Sequence, residues 1–137
     1  MKFGIGVATI PLAKAQVPAL SSAAGGHLTA ATYFVQVAWV SAVSATGQEG
    51  APSEALSYDA APGSVPVVSA VNPPAGATGF NVYMGLSPGG VTLQNTTPVG
   101  LGQIYTLPTT GLVLGAAPGN GQSADIYVIG GPLLRRG

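Results

Sequence analysis

The chain has 137 residues, four basic and four acidic side chains, zero formal net charge and no cysteine. Without cysteine there is no disulfide framework and no thiolate metal site. The charge balance excludes a basic nucleic-acid footprint and an acidic tail. Charged residues make up 6% of the chain, against about 25% in an ordinary soluble domain. So sparse a charge gives a free monomer little protection against association, and the surface is expected to be mostly Ser, Thr, Gly and Ala, partly covered by partners.

The length suits one domain, or one domain and an arm, with enough chain to bury a core unaided. With 21 glycines and 12 prolines the chain carries too much turn chemistry for a bundle of membrane helices. No apolar run approaches the length of a membrane span. At the N-terminus, Lys2, Phe3 to Leu12 and Ala13-Lys14-Ala15 mimic a short signal peptide. Gly4, Gly6 and Pro11 interrupt the apolar stretch and Lys14 occupies the cleavage region, so a cleaved leader is not expected.

In chain order, Phe3, Ile5 and Val7 alternate with Gly4, Gly6 and Ala8, a period that suits a strand. Pro11 and Pro18 break any helix, and Ser21 to Gly26 reads as a small-residue linker. Residues 1–26 are therefore expected to form an N-terminal arm and linker. Residues 27–130 are expected to form the domain proper, and 131–137 a tail.

The strongest strand signal is Thr32 to Val43. Tyr33, Val35, Val37, Trp39 and Val43 share a bulky face, while Phe34, Gln36, Ala38, Val40 and Ala42 share a mixed one. Ala45 to Gly50 reads as a turn, and Ala55 to Tyr58 as the returning strand, with Pro52 ahead of it. Val65 to Val71 is a further strand, in which Pro66 suggests an edge. Asn72 to Gly76 is a turn; Phe80 to Met84 is a strand with Phe80, Val82 and Met84 on one side; Leu86 to Gly90 turns the chain again. Val91 to Gln94, Gln103 to Leu107 and Asp125 to Ile129 complete the set. Short strands between Gly/Pro turns, with no helical period, predict an antiparallel sandwich or barrel with almost no helix. Tyr33, Val35, Val37, Trp39, Phe80, Val82 and Tyr105 are its predicted core.

Three stretches carry a resemblance. Leu28 to Val37, followed by Thr46-Gly47-Gln48-Glu49-Gly50-Ala51-Pro52-Ser53, resembles the penultimate and last strands of fibronectin type III domains. Ala77 to Gly85, with its Gly-Phe-Asn-Val-Tyr run, resembles the family's central strand, and Tyr105 to Leu112 its Tyr-Thr-x-x-x-Leu segment. The order is rotated, because the tyrosine strand precedes the Asn-Val-Tyr strand, and Met84 stands where a basic residue is frequent. This rotated arrangement is similar to fibronectin-like modules of virion proteins in tailed bacteriophages and prophages. The resemblance covers residues 28–112. It implies an all-β, antiparallel immunoglobulin/fibronectin III-like sandwich, and it is weak evidence for function, because the architecture hosts many roles.

The chemical inventory is thin. His27 reads as a lone base or ligand, or as a loop histidine; a metal site needs three or four ligands, which favours the loop histidine. Glu49 and Glu54 read as paired carboxylates for glycoside hydrolysis, or as solvated charges guarding a hairpin edge, and the second is favoured. Gly4-Ile5-Gly6 lacks the third glycine and the strand–helix context of a dinucleotide fingerprint. Asn95-Thr96-Thr97 matches the N-glycosylation pattern, as short sequences often do by chance. Trp39, Tyr58, Tyr83 and Tyr105 make either a sugar-stacking platform or core, and the register of Trp39 with Val35 and Val37 favours core.

The expectation is accordingly a non-enzymatic virion structural protein without cofactor, a capsid decoration (cement) or tail-associated protein. Its partners would be major capsid or tail proteins and copies of itself, with neither nucleic acid nor membrane. It would be assembled in the host cytoplasm and carried outside the cell in the particle. A carbohydrate-binding or adhesion module of a fibre or bacterial surface, meeting a host-surface glycan, is the alternative. The residues expected to make the contacts are Phe3, Ile5, Val7 and Ile10 in the N-terminal arm, and Leu133, Leu134, Arg135 and Arg136 in the tail; the alternative for the N-terminal segment is that it is the first strand of its own sheet.

Overall fold

The computed structural model describes residues 12–41 and 48–119. Over these the protein is all-β, with nine strands and no helix. The strands are β1 (Ala19–Ala24), β2 (Ala31–Ser41), β3 (Gln48–Glu49), β4 (Leu56–Ala60), β5 (Ser64–Ser69), β6 (Gly79–Gly85), β7 (Thr92–Leu93), β8 (Val99–Gly100) and β9 (Tyr105–Thr106). They form two antiparallel sheets. One has the order β1-β5-β9; in the other β2 and β6 are central, with β3 and β4 outside β2 and β7 and β8 outside β6.

One core lies between the sheets, as in a β-sandwich. The central strands alternate as the sequence demands: Tyr33, Val35, Val37 and Trp39 of β2 and Phe80, Val82 and Met84 of β6 are buried in it. Val65 and Val68 of β5 and Leu107 close it from the other sheet. Trp39 and Phe80 face each other across the β2–β6 ladder and meet edge to face, with ring centroids 6.1 Å apart and planes at 80°. That geometry sets the positive edge of one ring on the negative face of the other. Tyr105 is the exception to the expected core list: it is half-buried, against the core's rim.

Three expectations change. Ser21 to Gly26 is not a linker up to its last residues, because β1 pairs along its whole length with β5, from Ala19↔Ser69 to Ala24↔Ser64. Residues 12–18 are likewise part of the domain: Ala15 is buried and its N–H donates to Ala51 O at 3.2 Å, while Leu12 lies on Gly50. A Cβ at Gly50 would come within 2.9 Å of the Leu12 Cβ, so the strap requires glycine there. Small polar residues favour linkers only weakly, and the apolar β5 recruited this segment as its neighbour.

Pro66 is the third. It lies in β5, the middle strand of its sheet, not on an edge. Its carbonyl accepts from Leu107 N at 3.1 Å, and on that same side of the strand it has no N–H to return. The ladder to β9 therefore ends at Thr106, and β9 is two residues long. Of the expected turn from Ala45 to Gly50, residues 45–47 lie outside the described residues and Gln48 and Glu49 form β3 against β2, whereas Asn72 to Gly76 and Leu86 to Gly90 turn the chain as the sequence indicates. Ala77 N donates to Pro74 O with Gly76 at φ 91° between them, which only glycine adopts without strain. The expected strand at Asp125 to Ile129 falls outside the described residues.

Candidate functional site

The face of the β2–β6 sheet turned away from the core carries most of the polar chemistry. The pairings Gln36↔Tyr83, Ala38↔Asn81 and Val40↔Glu49 place Asn81, Tyr83 and Glu49 on this face. Glu49 reaches across β2 to β6. Its Oε2 accepts from Asn81 Nδ2 at 2.8 Å and from Tyr83 Oη at 2.5 Å. Between them lies Ala38, 1% exposed, a residue small enough to be bridged. Tyr83 rests on Ala38 and Val91, beside Phe34 and Leu93. Burial first, then the Glu49 carboxylate that its hydroxyl serves, holds the phenol well above its usual range.

The network continues to Asn95. Its Nδ2 donates to Asn81 Oδ1 at 3.0 Å and to Thr97 O at 2.8 Å, and its Oδ1 accepts from Val82 N at 2.7 Å. Asn95 is 8% exposed. The residue that opens the glycosylation-like triplet thus completes the backbone of β6 where β7 stops. Gln94 does the same for the next segment. Its Oε1 accepts from Val113 N at 2.9 Å, and its Nε2 donates to Val113 O at 3.0 Å and Thr92 O at 2.9 Å. A side-chain amide here substitutes for a strand's peptide group, and Leu93 N to Ala116 O at 2.8 Å extends the contact.

Ser53 repairs the opposite edge. Between β3 and β4 its N–H donates to Val37 O at 2.8 Å, and its Oγ takes the Val37 N–H at 3.1 Å. Gln36 Nε2 donates to Ser53 O at 2.6 Å. Pro52 is tolerated beside this break in the ladder because the N–H that Val37 O needs comes from Ser53.

An open depression of about 450 Å³ lies beyond Asn95, bordered by Thr97, Pro98, Val99, Tyr105 and Pro108. Burial also raises the Tyr105 phenol. The four candidate aromatics do not converge: Trp39, Tyr58 and Tyr105 pack on the core between the sheets, whereas Tyr83 lies on the outer face. His27 is exposed in a turn. Glu54 is exposed and pairs with Lys14 at 2.6 Å, while Glu49 is half-buried among amide and phenol donors. The two carboxylates therefore serve different partners, and Glu49 is not the solvated edge charge its position in the sequence suggests. What could have revealed it is the alternation Asn81–Tyr83 opposite Ala38, a polar pair facing a gap. Among the described residues no group of three or more His, Asp or Glu side chains could hold a metal ion, and no helix is long and apolar enough to cross a membrane.

The arm and tail residues singled out in the sequence, Phe3, Ile5, Val7, Ile10, Leu133, Leu134, Arg135 and Arg136, lie outside the described residues, as does the Gly4-Ile5-Gly6 motif. No family model, curated protein or solved structure matches the chain.

Proposed function

We propose that the chain is a non-enzymatic virion structural protein of a tailed bacteriophage, a capsid decoration or tail-associated protein acting through subunit contacts. The observation that carries this reading is the surface. Lys14, Glu49, Glu54 and Asp59 are the four Lys, Arg, Asp and Glu side chains among the described residues, and each has a partner within the chain. Around them Leu114 is 97%, Leu86 62% and Ile104 59% exposed. A surface with so few charges, all of them paired within the chain, and with projecting apolar side chains suits a protein that ends in contact with others.

The strand arrangement supports a fibronectin III-like module in rotated order. In that architecture the penultimate strand lies between the last strand and the central one, and β2 lies between β3/β4 and β6. The arm and tail residues named above would anchor the contacts. The test is recovery of the chain from density-purified particles. A fixed copy ratio to the major capsid or tail protein is expected, and absence from intact particles overturns the reading.

A carbohydrate-binding or adhesion module is the second reading, and the depression beside Tyr105 is the feature that favours it. Binding of a panel of bacterial surface glycans that Tyr105→Ala abolishes would establish it in place of the first.

A further inference from the structure

We infer that the outer edge of β1 is an acceptor for strand addition, and that its occupant is the Phe3–Ile10 segment of a second copy of this chain. The inference deepens the proposed function by naming one subunit contact, and it can stand or fall without it.

The first ground is which edges the fold covers. Beside β3 and β4 run residues 12–15, bonded through Ala15 N to Ala51 O. Beside β7 runs the stretch from Val113 to Ala116, held by Gln94 and by Leu93 N. β9 has only two residues to offer. β1 has six, Ala-Leu-Ser-Ser-Ala-Ala, and among the described residues it pairs with β5 alone. It contains no charge, no proline and no bulge, the devices by which sheet edges are ordinarily protected.

The second ground is which groups point outward. Pro66 C=O faces β9, so Val65, Val67 and Ser69 turn their backbone groups to β1. Their partners are Ala23, Ser21 and Ala19. By alternation, Leu20, Ser22 and Ala24 aim their N–H and C=O away from the sheet. That is a row of three donors and three acceptors at the spacing a strand reads.

The third ground is the occupant. Residues 3–10 are eight uncharged residues in which Phe3, Ile5 and Val7 alternate with Gly4, Gly6 and Ala8. Added to β1, the bulky face extends the inner side of the sheet and the small face its outer side. Within one chain the closest hairpin is out of reach. Leu12 sits on Gly50, just past the end of β3 of the other sheet, facing sheets lie about 10 Å apart, and the two residues back to Ile10 span about 7 Å at most. The stretch that ends at Ala116 runs beside β7, in the sheet that does not contain β1.

The test uses the purified full-length chain in sedimentation velocity over a range of concentrations. Wild type should associate progressively. Ser22→Pro removes an outward N–H and leaves the bonds to β5 untouched, and should stay monomeric. A chain lacking residues 1–11 should also stay monomeric. Mixed, these two should form a closed 1:1 pair, since one retains the donor and the other the acceptor. Should Ser22→Pro or the truncation lose its β-sheet circular dichroism, Ser22→Lys and the doubly substituted Ile5→Asp/Val7→Asp chain take their places with the same expectations. A monomeric wild type, variants that associate as wild type does, or a mixture that gives no hetero-pair each overturns the inference; so does a wild type in which the arm pairs within its own chain. Association of the pure chain with no binding to particles would sink the virion reading and leave this one intact.

Discussion

The two faces of the β2–β6 sheet are buried by different chemistry. On the inner face Val35, Val37, Trp39, Phe80, Val82 and Met84 exclude water with apolar surface, and each is at most 2% exposed. On the outer face Ala38 and Tyr83 are nearly as well covered, yet the cover there is a hydrogen-bonded web running from Glu49 through Asn81 to Asn95. Apolar burial is non-directional, so the inner face tolerates rearrangement at a graded cost. A polar web is directional: each amide that loses its partner is left unsatisfied where water cannot easily replace it. The same two strands therefore carry a face that supplies stability and a face that fixes where loops begin and end.

The largest effect should come from the inner face. Trp39→Ala removes the ring that meets Phe80 and should cost about 3–5 kcal/mol, the range for large aromatic truncations in cores. Denaturant unfolding checks it. A variant as stable as wild type would mean that the inner face is not the main source of stability. Next is Asn95→Ala on the outer face. It strands the buried Val82 N–H and releases Thr97 O, and should cost about 1–3 kcal/mol. Asn95→Asp separates the two roles, because it keeps the acceptor for Val82 and loses both donors. Equal losses in the two variants would show that the bond to β6 contributes nothing of its own.

Tyr83→Phe should cost less, about 1 kcal/mol, because Asn81 still serves Glu49. A double-mutant cycle with Glu49→Gln should return a coupling above about 0.5 kcal/mol if the two side chains form one unit. The phenol also has a pH signature. Its pKa is raised in the folded state, so the unfolded chain releases this proton first. Stability from Tyr83 is thus complete below the ordinary tyrosine pKa near 10 and is lost as pH rises above it. Tyr105, raised by burial, acts in the same direction. Alkaline unfolding should be less steep in Tyr83→Phe than in wild type, and identical slopes would remove Tyr83 from the web.

How much of this was legible in the sequence follows the same division. The inner face was, since period-2 alternation of bulky residues is a local signal, and Trp39 in register with Val35 and Val37 fixed its direction. The outer web was not. Glu49 and Asn95 belong to it through partners 32 and 14 residues away, and nothing near either residue announces them. β1 was misread because its residues are small, and its place in the sheet comes from β5. Pro66 was misread for a related reason: a proline forbids a bond on one side of a strand, and which side is set by the neighbour, here a β9 that stops in time.

The smallest effect should come from the contact that looks most electrostatic. Lys14 and Glu54 meet at 2.6 Å and fasten the 12–18 strap to the edge beside β4, yet their side chains are 56% and 78% exposed. Water and salt screen a pair so placed, and holding two long side chains in one geometry offsets what attraction remains. The hydrogen bond from Lys14, then its charge, keeps the Glu54 carboxyl below its ordinary value. A lowered folded pKa stabilises above the unfolded pKa, and the contribution disappears as pH falls through the folded one. For a group standing in solvent that acid-side loss should be too small to detect. The strap is held instead by buried Ala15, by its bond to Ala51, and by Leu12 seated on Gly50. Thermal melts of Glu54→Gln and wild type should therefore superimpose at neutral pH and at acid pH. Gly50→Ala, which drives a methyl group into Leu12, should lower the midpoint visibly at both. The reverse ranking would mean that charge, and not close backbone approach, fastens the strap.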